Sequence, residues 1–241
     1  MKEVLIMDTF NYSPYENPNS LESIAYNEIR NAIITGTFPP GYQVVEDYIS
    51  NQLNMSRSPV RSAIKRLQTE GFLEKRENKR MYVSMPSPAQ IIDVLYIREA
   101  LDGITARLAA ANRTDSDVEK IQKVLQDSHK ALSENNTYRQ HELAIYLHHT
   151  IYDAAKNEPL ARLAKNYENQ VTLFTYNSYA QDNQRYAVSY KEHESICRCV
   201  IDQKPDEAEA SARFHIEQLR QRVLFIEQRR LISHSLSQLH P

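Results

Sequence analysis

The sequence predicts a mainly α-helical protein in two parts, a small mixed N-terminal unit and a longer all-helical remainder. Three observations lead there. Glycine is scarce, four in 241 residues, and Gly36, Gly41 and Gly71 all fall in the first third; an all-β chain needs many more glycines for its turns. Apolar residues recur at the 3.6-residue helical period through most of the chain. Between Phe72 and Ser84 that period gives way to two short runs around Glu77-Asn78-Lys79, the pattern of a hairpin.

The length suits one large domain or two ordinary ones. Hydrophobic residues at 41% and charged residues at 25% are typical of a soluble globular chain, and no run approaches the roughly 18 apolar residues of a membrane span. The apolar patch Val4–Met7 lacks a following small-residue cleavage site, so no signal peptide is expected, and residues 1–19 read as a flexible arm. Cys197 and Cys199 lie one residue apart in a helical pattern, which turns their thiols away from each other; a reducing cytoplasm suits them. The net charge of -2 hides an asymmetry. From Arg57 to Ser84 eight basic residues face three acids, so 8 − 3 leaves +5 in that segment. A local basic patch on a near-neutral chain points to a polyanionic partner for that segment.

In the first unit Ser20 can cap a helix with apolar positions at Leu21, Ile24, Ala25, Ile29, Ala32 and Ile33, ended by Gly36. A tight connection, Phe38-Pro-Pro-Gly41, leads to a short helix over Glu46–Leu53 that buries Val45, Ile49 and Leu53, and Asn54 supplies a turn. Ser56 or Ser58 caps a third helix with Pro59 in its first turn, where a missing N–H is harmless, and Gly71 stops it. On this third helix Val60, Ile64 and Leu67 form the core stripe. Ser58, Arg61, Ser62 and Lys65 lie about 150° away at ~100° per residue. Short, basic and rich in hydroxyls, that face has the chemistry to meet phosphates and guanine edges in a major groove. A solvated helix surface is the plainer reading of the same charges.

The spaced pattern Pro40-Gly41, Glu46, Ile49, Leu53, Met55-Ser-Arg-Ser-Pro-Val-Arg61, Ala63-Ile64, Arg66-Leu67, Glu70-Gly71 resembles the winged helix-turn-helix of the GntR family of bacterial regulators. The resemblance implies DNA contacts from Arg57, Ser58 and Arg61, with Lys79 and Arg80 in the wing. The usual wing glycine is absent, with Arg80 near its place. Asp47 stands where some relatives carry a DNA-binding arginine, so that contact is not carried over.

After a proline-bearing linker, Met85–Pro88, six helices are expected over roughly 89–111, 115–134, 137–156, 159–180, 183–203 and 205–232, with Thr114 and Asp117 capping the second and Pro205 opening the last. Their order and the segments Arg98–Asp102, Ala106–Ala110 and Asn157–Leu163 resemble the FCD-type sensor domain of the FadR subfamily, an antiparallel helical bundle. The implied organisation is a DNA-binding domain over 20–85 and an effector-sensing, dimerising domain over 86–241.

Helical phase marks a second site. Arg98 lies in the middle of the stripe Ile91, Val94, Leu95, Leu101, Ala109, and Asp102 is one turn further on. A buried charge must be paired or serve a ligand, so Arg98 either bridges to Asp102 or docks an effector carboxylate. His193 sits among Tyr186, Tyr190, Ile196, Cys197 and Val200, His215 among Ala208, Ala212, Leu219 and Ile226, and His148 beside Leu143, Leu147 and Ile151. A lone core histidine is more often a structural residue than a ligand. Three inward imidazoles on three helices fit a divalent ion such as zinc or nickel, and these three fall where metal-binding FCD domains place their histidines. Ala144, one turn before His148, departs from an Asp common there, so a carboxylate ligand is either missing or supplied by Asp102. His129, His141, His149, His234 and His240 read as surface residues.

The expectation is a homodimeric regulator that binds a palindromic operator and answers to a small organic acid. Its rivals are a DNA-binding protein with a purely structural helical domain and a metal-dependent enzyme. The latter lacks a His-Glu-x-x-His motif, a nucleophile elbow and a phosphate loop.

Overall fold

A computed structural model describes residues 20–179 and 183–238. The expected arm 1–19 and His240 lie outside the described residues, as does the side chain of His234. The chain divides between Ser84 and Met85 into two compact units.

The first unit runs α1 (Leu21–Ile34), β1 (Gln43–Val44), α2 (Glu46–Gln52), α3 (Arg57–Thr69), β2 (Leu73–Lys75) and β3 (Met81–Val83). Ser20 caps α1 by accepting from the Ser23 N–H at 3.1 Å. Ile29 and Ile33 of α1 and Val60, Ile64 and Leu67 of α3 are buried, together with Phe72, Leu73 and Val83. The stripe of α1 is rotated from the expected one: Leu21 and Ile24 are exposed, while Ser23 and Tyr26 are buried. Tyr26 is drawn in by partners on α3, since its hydroxyl donates to Glu70 and the Arg66 guanidinium lies 3.8 Å over its ring. Val45 precedes α2 as its N-cap and is 41% exposed, not core as expected.

The hairpin is antiparallel, with Leu73 opposite Val83 and Lys75 opposite Met81. A strand the sequence did not announce, β1, pairs Gln43 with Tyr82 and Val44 with Met81, giving the order β1-β3-β2. Two residues are too few to display an alternating pattern. At the hairpin tip Lys79 has φ 61°, so the left-handed position that favours glycine falls on Lys79 instead of Arg80. The Lys79 N–H donates to Arg76 O at 2.8 Å, and Asn78 Oδ1 accepts from the Arg80 N–H at 3.0 Å.

The second unit is an antiparallel bundle of α4 (Pro88–Asn112), α5 (Asp115–Ser133), α6 (Thr137–Ala154), α7 (Glu158–Tyr179), α8 (Asn183–Ile201) and α9 (Pro205–Gln238). Ser87 with Gln90 and Thr114 with Asp117 form capping boxes that satisfy orphan N–H groups at the starts of α4 and α5. Ile91 and Leu95 pack with Ile216, Leu219 and Val223, and Ala106 and Ala109 with Ala208 and Ala212, so α4 and α9 run antiparallel. Gly103 permits their close approach, because a Cβ there would meet Arg213 Cγ at 2.8 Å. Cys197 and Cys199 are free thiols. Among the described residues no helix is long and apolar enough to cross a membrane.

Candidate DNA-facing surface and histidine centre

Arg57 opens α3 and Arg61 follows one turn later; both are exposed, as are Ser58 and Lys65. Val60, Ala63, Ile64 and Leu67 bury the opposite side of α3, so the basic face is left to solvent by the packing itself. Asp47 Oδ1 lies 2.8 Å from Arg57 Nε, and Arg61 Nε donates to Glu46 Oε2 at 3.0 Å. In the hairpin Lys79 and Arg80 are exposed, and Arg80 Nη1 donates to Gln43 Oε1 at 3.4 Å.

Inside the bundle the structure brings His148 of α6, His193 of α8 and His215 of α9 together, all buried, with one ligand atom of each within 4.8 Å of the others. The Nε2 atoms of His193 and His215 are 3.2 Å apart. Two nitrogens at roughly 2.0–2.1 Å from a common ion would stand about 3.0–3.4 Å apart, so the pair already has the required spacing. Burial, reinforced by the charges of His193, Arg98 and His215, holds His148 well below the ordinary imidazole range. Burial with His215, Arg185 and Arg98 does the same to His193. Both rings are neutral at pH 7, the state a metal ligand needs. Glu192 Oε2 is 2.7 Å from His215 Nδ1. With Nδ1 donating to that carboxylate, the Nε2 lone pair turns toward the other imidazoles, the outer-shell arrangement usual around histidine-bound metals. The donor set therefore fits a divalent ion.

Beside the histidines Arg98 is 3% exposed and Asp102 4%. Arg98 Nη2 donates to Asp102 Oδ2 at 2.7 Å and to the Tyr152 hydroxyl at 3.2 Å, and Tyr152 donates to Asp102 Oδ1 at 2.9 Å. Burial opposes the charge on Arg98, but Asp102, Tyr152 and Glu168 outweigh it and hold the guanidinium protonated. A cavity of about 80 Å³ adjoins the cluster, lined by Arg98, the three histidines, Arg185 and Thr172 among others.

A family model for the FCD domain matches residues 93–218, and one for bacterial regulatory proteins of the gntR family matches residues 21–83. The chain belongs to the GntR family of bacterial regulators. It is a transcriptional regulator of the GntR/FCD type, not an enzyme. An HTH-type regulator of Agrobacterium vitis is 47% identical over 88 residues, covering 36% of this chain and 52% of its own length; this GntR chain thus spans about half of that relative. The Nta operon transcriptional regulator of Aminobacter aminovorans is 27% identical over 182 residues, 75% of this chain and 83% of its own. The solved structure of E. coli McbR/YncC superposes with a TM-score of 0.75 at 17% identity over 86% of this chain and 99% of that one, a likeness of fold.

Several site residues of this GntR chain stand elsewhere than the sequence suggested. Asp102, expected as a metal ligand, is outside the histidine group; its two oxygens are taken by Arg98 and Tyr152. Of His141 and His149, both expected on the surface, the first is buried and the second half-buried. His141 is 7% exposed and lines the cavity, and His149 Nε2 is 2.9 Å from Glu168 Oε2. Helix α6 is covered on almost every side by α4, α5, α7 and α8, so its apolar phase does not separate an inner from an outer face. His129 is exposed, as expected. Sequence reasoning missed Glu168, Arg185 and Glu192. Glu168 shares the stripe of Ala161, Ala164 and Val171, and Arg185 lies eight residues before His193 on α8; a charge on a core stripe was the available signal in both.

Proposed function

We propose that the chain is a homodimeric, operator-binding regulator whose α3 face reads DNA and whose bundle senses a small organic acid at a metal held by His148, His193 and His215. The observation that carries this reading is the convergence of three buried imidazoles on a cavity that Arg98 also lines. A hydrophobic bundle that only dimerised would have no physical reason to bury them. In this reading Arg61 contacts a base, most simply a guanine, Arg57, Ser58 and Lys65 flank it, and Lys79 and Arg80 meet phosphates from the wing. Zinc or nickel suits an all-imidazole set; once bound it would supply a positive centre for an effector carboxylate. Arg98 would orient that carboxylate, and Glu192 would keep His215 in the coordinating tautomer. Asp102 and Tyr152 serve to hold Arg98 in place.

Two helices spaced by two-fold symmetry give a short palindrome usable specificity. The outward faces of α4 and α9 suit a second copy, since Tyr96, Ile97, Ile104, Phe214 and Phe225 stand exposed on these antiparallel neighbours.

The test has two arms. Elemental analysis should find stoichiometric divalent metal in the native protein, and the double variant His193→Ala with His215→Ala should lose it and its effector response while still binding operator. A metal-free native protein, with the double variant responding normally, would return the histidines to the core. In the DNA arm Arg61→Ala should cost ~1–3 kcal/mol of operator affinity and blunt sequence preference, whereas Lys79→Ala should weaken all DNA alike and lower the salt slope by about one. Full operator affinity in Arg61→Ala would overturn the assignment of α3.

A further inference from the structure

Two carboxylates at the start of α2 lie against two arginines of α3. Glu46 and Asp47 occupy the first turn of α2. Arg61 Nε is 3.0 Å from Glu46 Oε2, and Arg57 Nε is 2.8 Å from Asp47 Oδ1. In each pair the carboxylate lies against the inner nitrogen of the guanidinium: Arg61 Nε donates a hydrogen bond to Glu46, and Arg57 forms an ion pair with Asp47. Both arginine side chains are 66% exposed, and among the described residues no other group is bonded to either guanidinium. The outer Nη edge of each therefore stays open.

We infer that Glu46 and Asp47 are positioning residues for sequence readout, buttressing Arg61 and Arg57 through Nε so that the two Nη groups are presented as a fixed fork. The inference rests on the reading that these arginines face DNA. A guanidinium recognises the O6 and N7 acceptors of guanine with two parallel N–H bonds, which requires its plane to be set. An unrestrained exposed arginine must lose its rotamer freedom on binding, and a side chain ordered beforehand loses less. The same acids work against affinity as such, because two negative charges beside a polyanion reduce counterion-driven attraction. Their position thus trades general DNA affinity for discrimination. A purely local role is the competing account: acids at the N-terminus of α2 favour its dipole, and Asp47 also offsets the unfavourable charge of Arg57 at the N-terminus of α3. That account predicts effects on stability and none on base preference.

Amide substitutions separate the two. Asn and Gln keep an acceptor oxygen beside Nε but remove the charge; alanine removes both. An operator is selected from a randomised duplex pool with the native full-length protein, and its affinity is then compared with that of an unselected duplex for Glu46→Ala, Glu46→Gln, Asp47→Ala and Asp47→Asn. Thermal melts confirm that each variant is folded. All four should bind the unselected duplex several-fold more tightly, by loss of one negative charge. The alanine variants should lose about tenfold in the ratio of operator to unselected affinity, with degraded preference at the bases read by the paired arginine, while the amide variants keep most of that ratio. An unchanged ratio in all four, or equal loss in alanine and amide variants, would overturn the buttress. Arg57→Ala and Arg61→Ala run beside them locate the failure. If they lose the ratio and the acid variants do not, only the buttress falls; if they too keep it, the DNA-facing reading falls and the buttress with it.

Discussion

Arg98 concentrates the conflict inside the bundle. It is a permanently charged group in an apolar layer, and it persists because Asp102 and Tyr152 accept its hydrogen bonds while Glu168 lies 3.6 Å away. Removing the cation would leave the buried carboxylates of Asp102 and Glu168 without the positive charge they share. Arg98→Ala should therefore cost ~3–5 kcal/mol of stability, measured by denaturant unfolding of metal-free protein so that ligand linkage does not mask it. A loss under about 1 kcal/mol would mean that water reaches the site and the network is solvated. Glu168 extends this network to His148 and His149, at 4.0 and 2.9 Å from their Nε2 atoms, so the arginine and the histidine centre share a carboxylate neighbour.

At the scale of elements, termini decide where the helices begin. Thr114 accepts from the Asp117 N–H, Asp117 accepts from the Thr114 N–H, and Lys156 after α6 reaches Asp117 Oδ2 at 2.7 Å. Burial would raise the Asp117 carboxyl, but the bonds from Lys156 and Thr114 outweigh it and hold the group below the usual carboxylate range. A carboxyl with a lowered folded value stabilises above its unfolded value near 3.9 and loses that contribution as pH falls through the folded one. Thr114→Ala should cost ~0.5–2 kcal/mol, and Asp117→Ala should flatten the acid limb of a stability-versus-pH curve below about pH 4; an unaltered acid limb would refute the role of this cap. The wing offers an opposite case. Lys79 holds φ 61°, a conformation costing an ordinary residue about 1 kcal/mol. Lys79→Gly should raise the melting temperature of the DNA-binding unit while weakening its affinity for any duplex. A fall in both would show that the lysine stem stabilises the hairpin.

For the whole molecule the proposed function demands symmetry and coupling. Sedimentation should find a dimer at micromolar concentration, and Ile104→Glu combined with Phe214→Glu should shift it toward monomer with loss of operator affinity. A double variant that remains dimeric would move the interface away from α4 and α9. An effector can change operator affinity only by its own preference between the two states of the dimer, typically ~1–3 kcal/mol. Protons compete with metal for neutral imidazole, so effector response should fade on acidification together with metal content.

Much of this architecture was legible in the sequence because it rests on local rules. The caps at Ser20 and Thr114, Pro205 opening α9, and the periods of the bundle helices fix element type and approximate limits without reference to any partner. The inward placement of Arg98, His193 and His215 was legible for the same reason, since a polar group on an apolar stripe must turn inward with it. Tertiary structure decided the rest. Asp102 is one turn from Arg98 whether or not it binds metal, and only the approach of Tyr152 from α6 commits both its oxygens. His141 is buried and His149 half-buried because α6 is enclosed on nearly all sides, a fact no single helix phase contains. Gln43–Val44 becomes a strand only because Tyr82 and Met81 lie alongside. Helical period assigns a residue to a face of its own helix; which groups meet across faces depends on the rotation and depth of the neighbouring helices, and those are set by packing over the whole core.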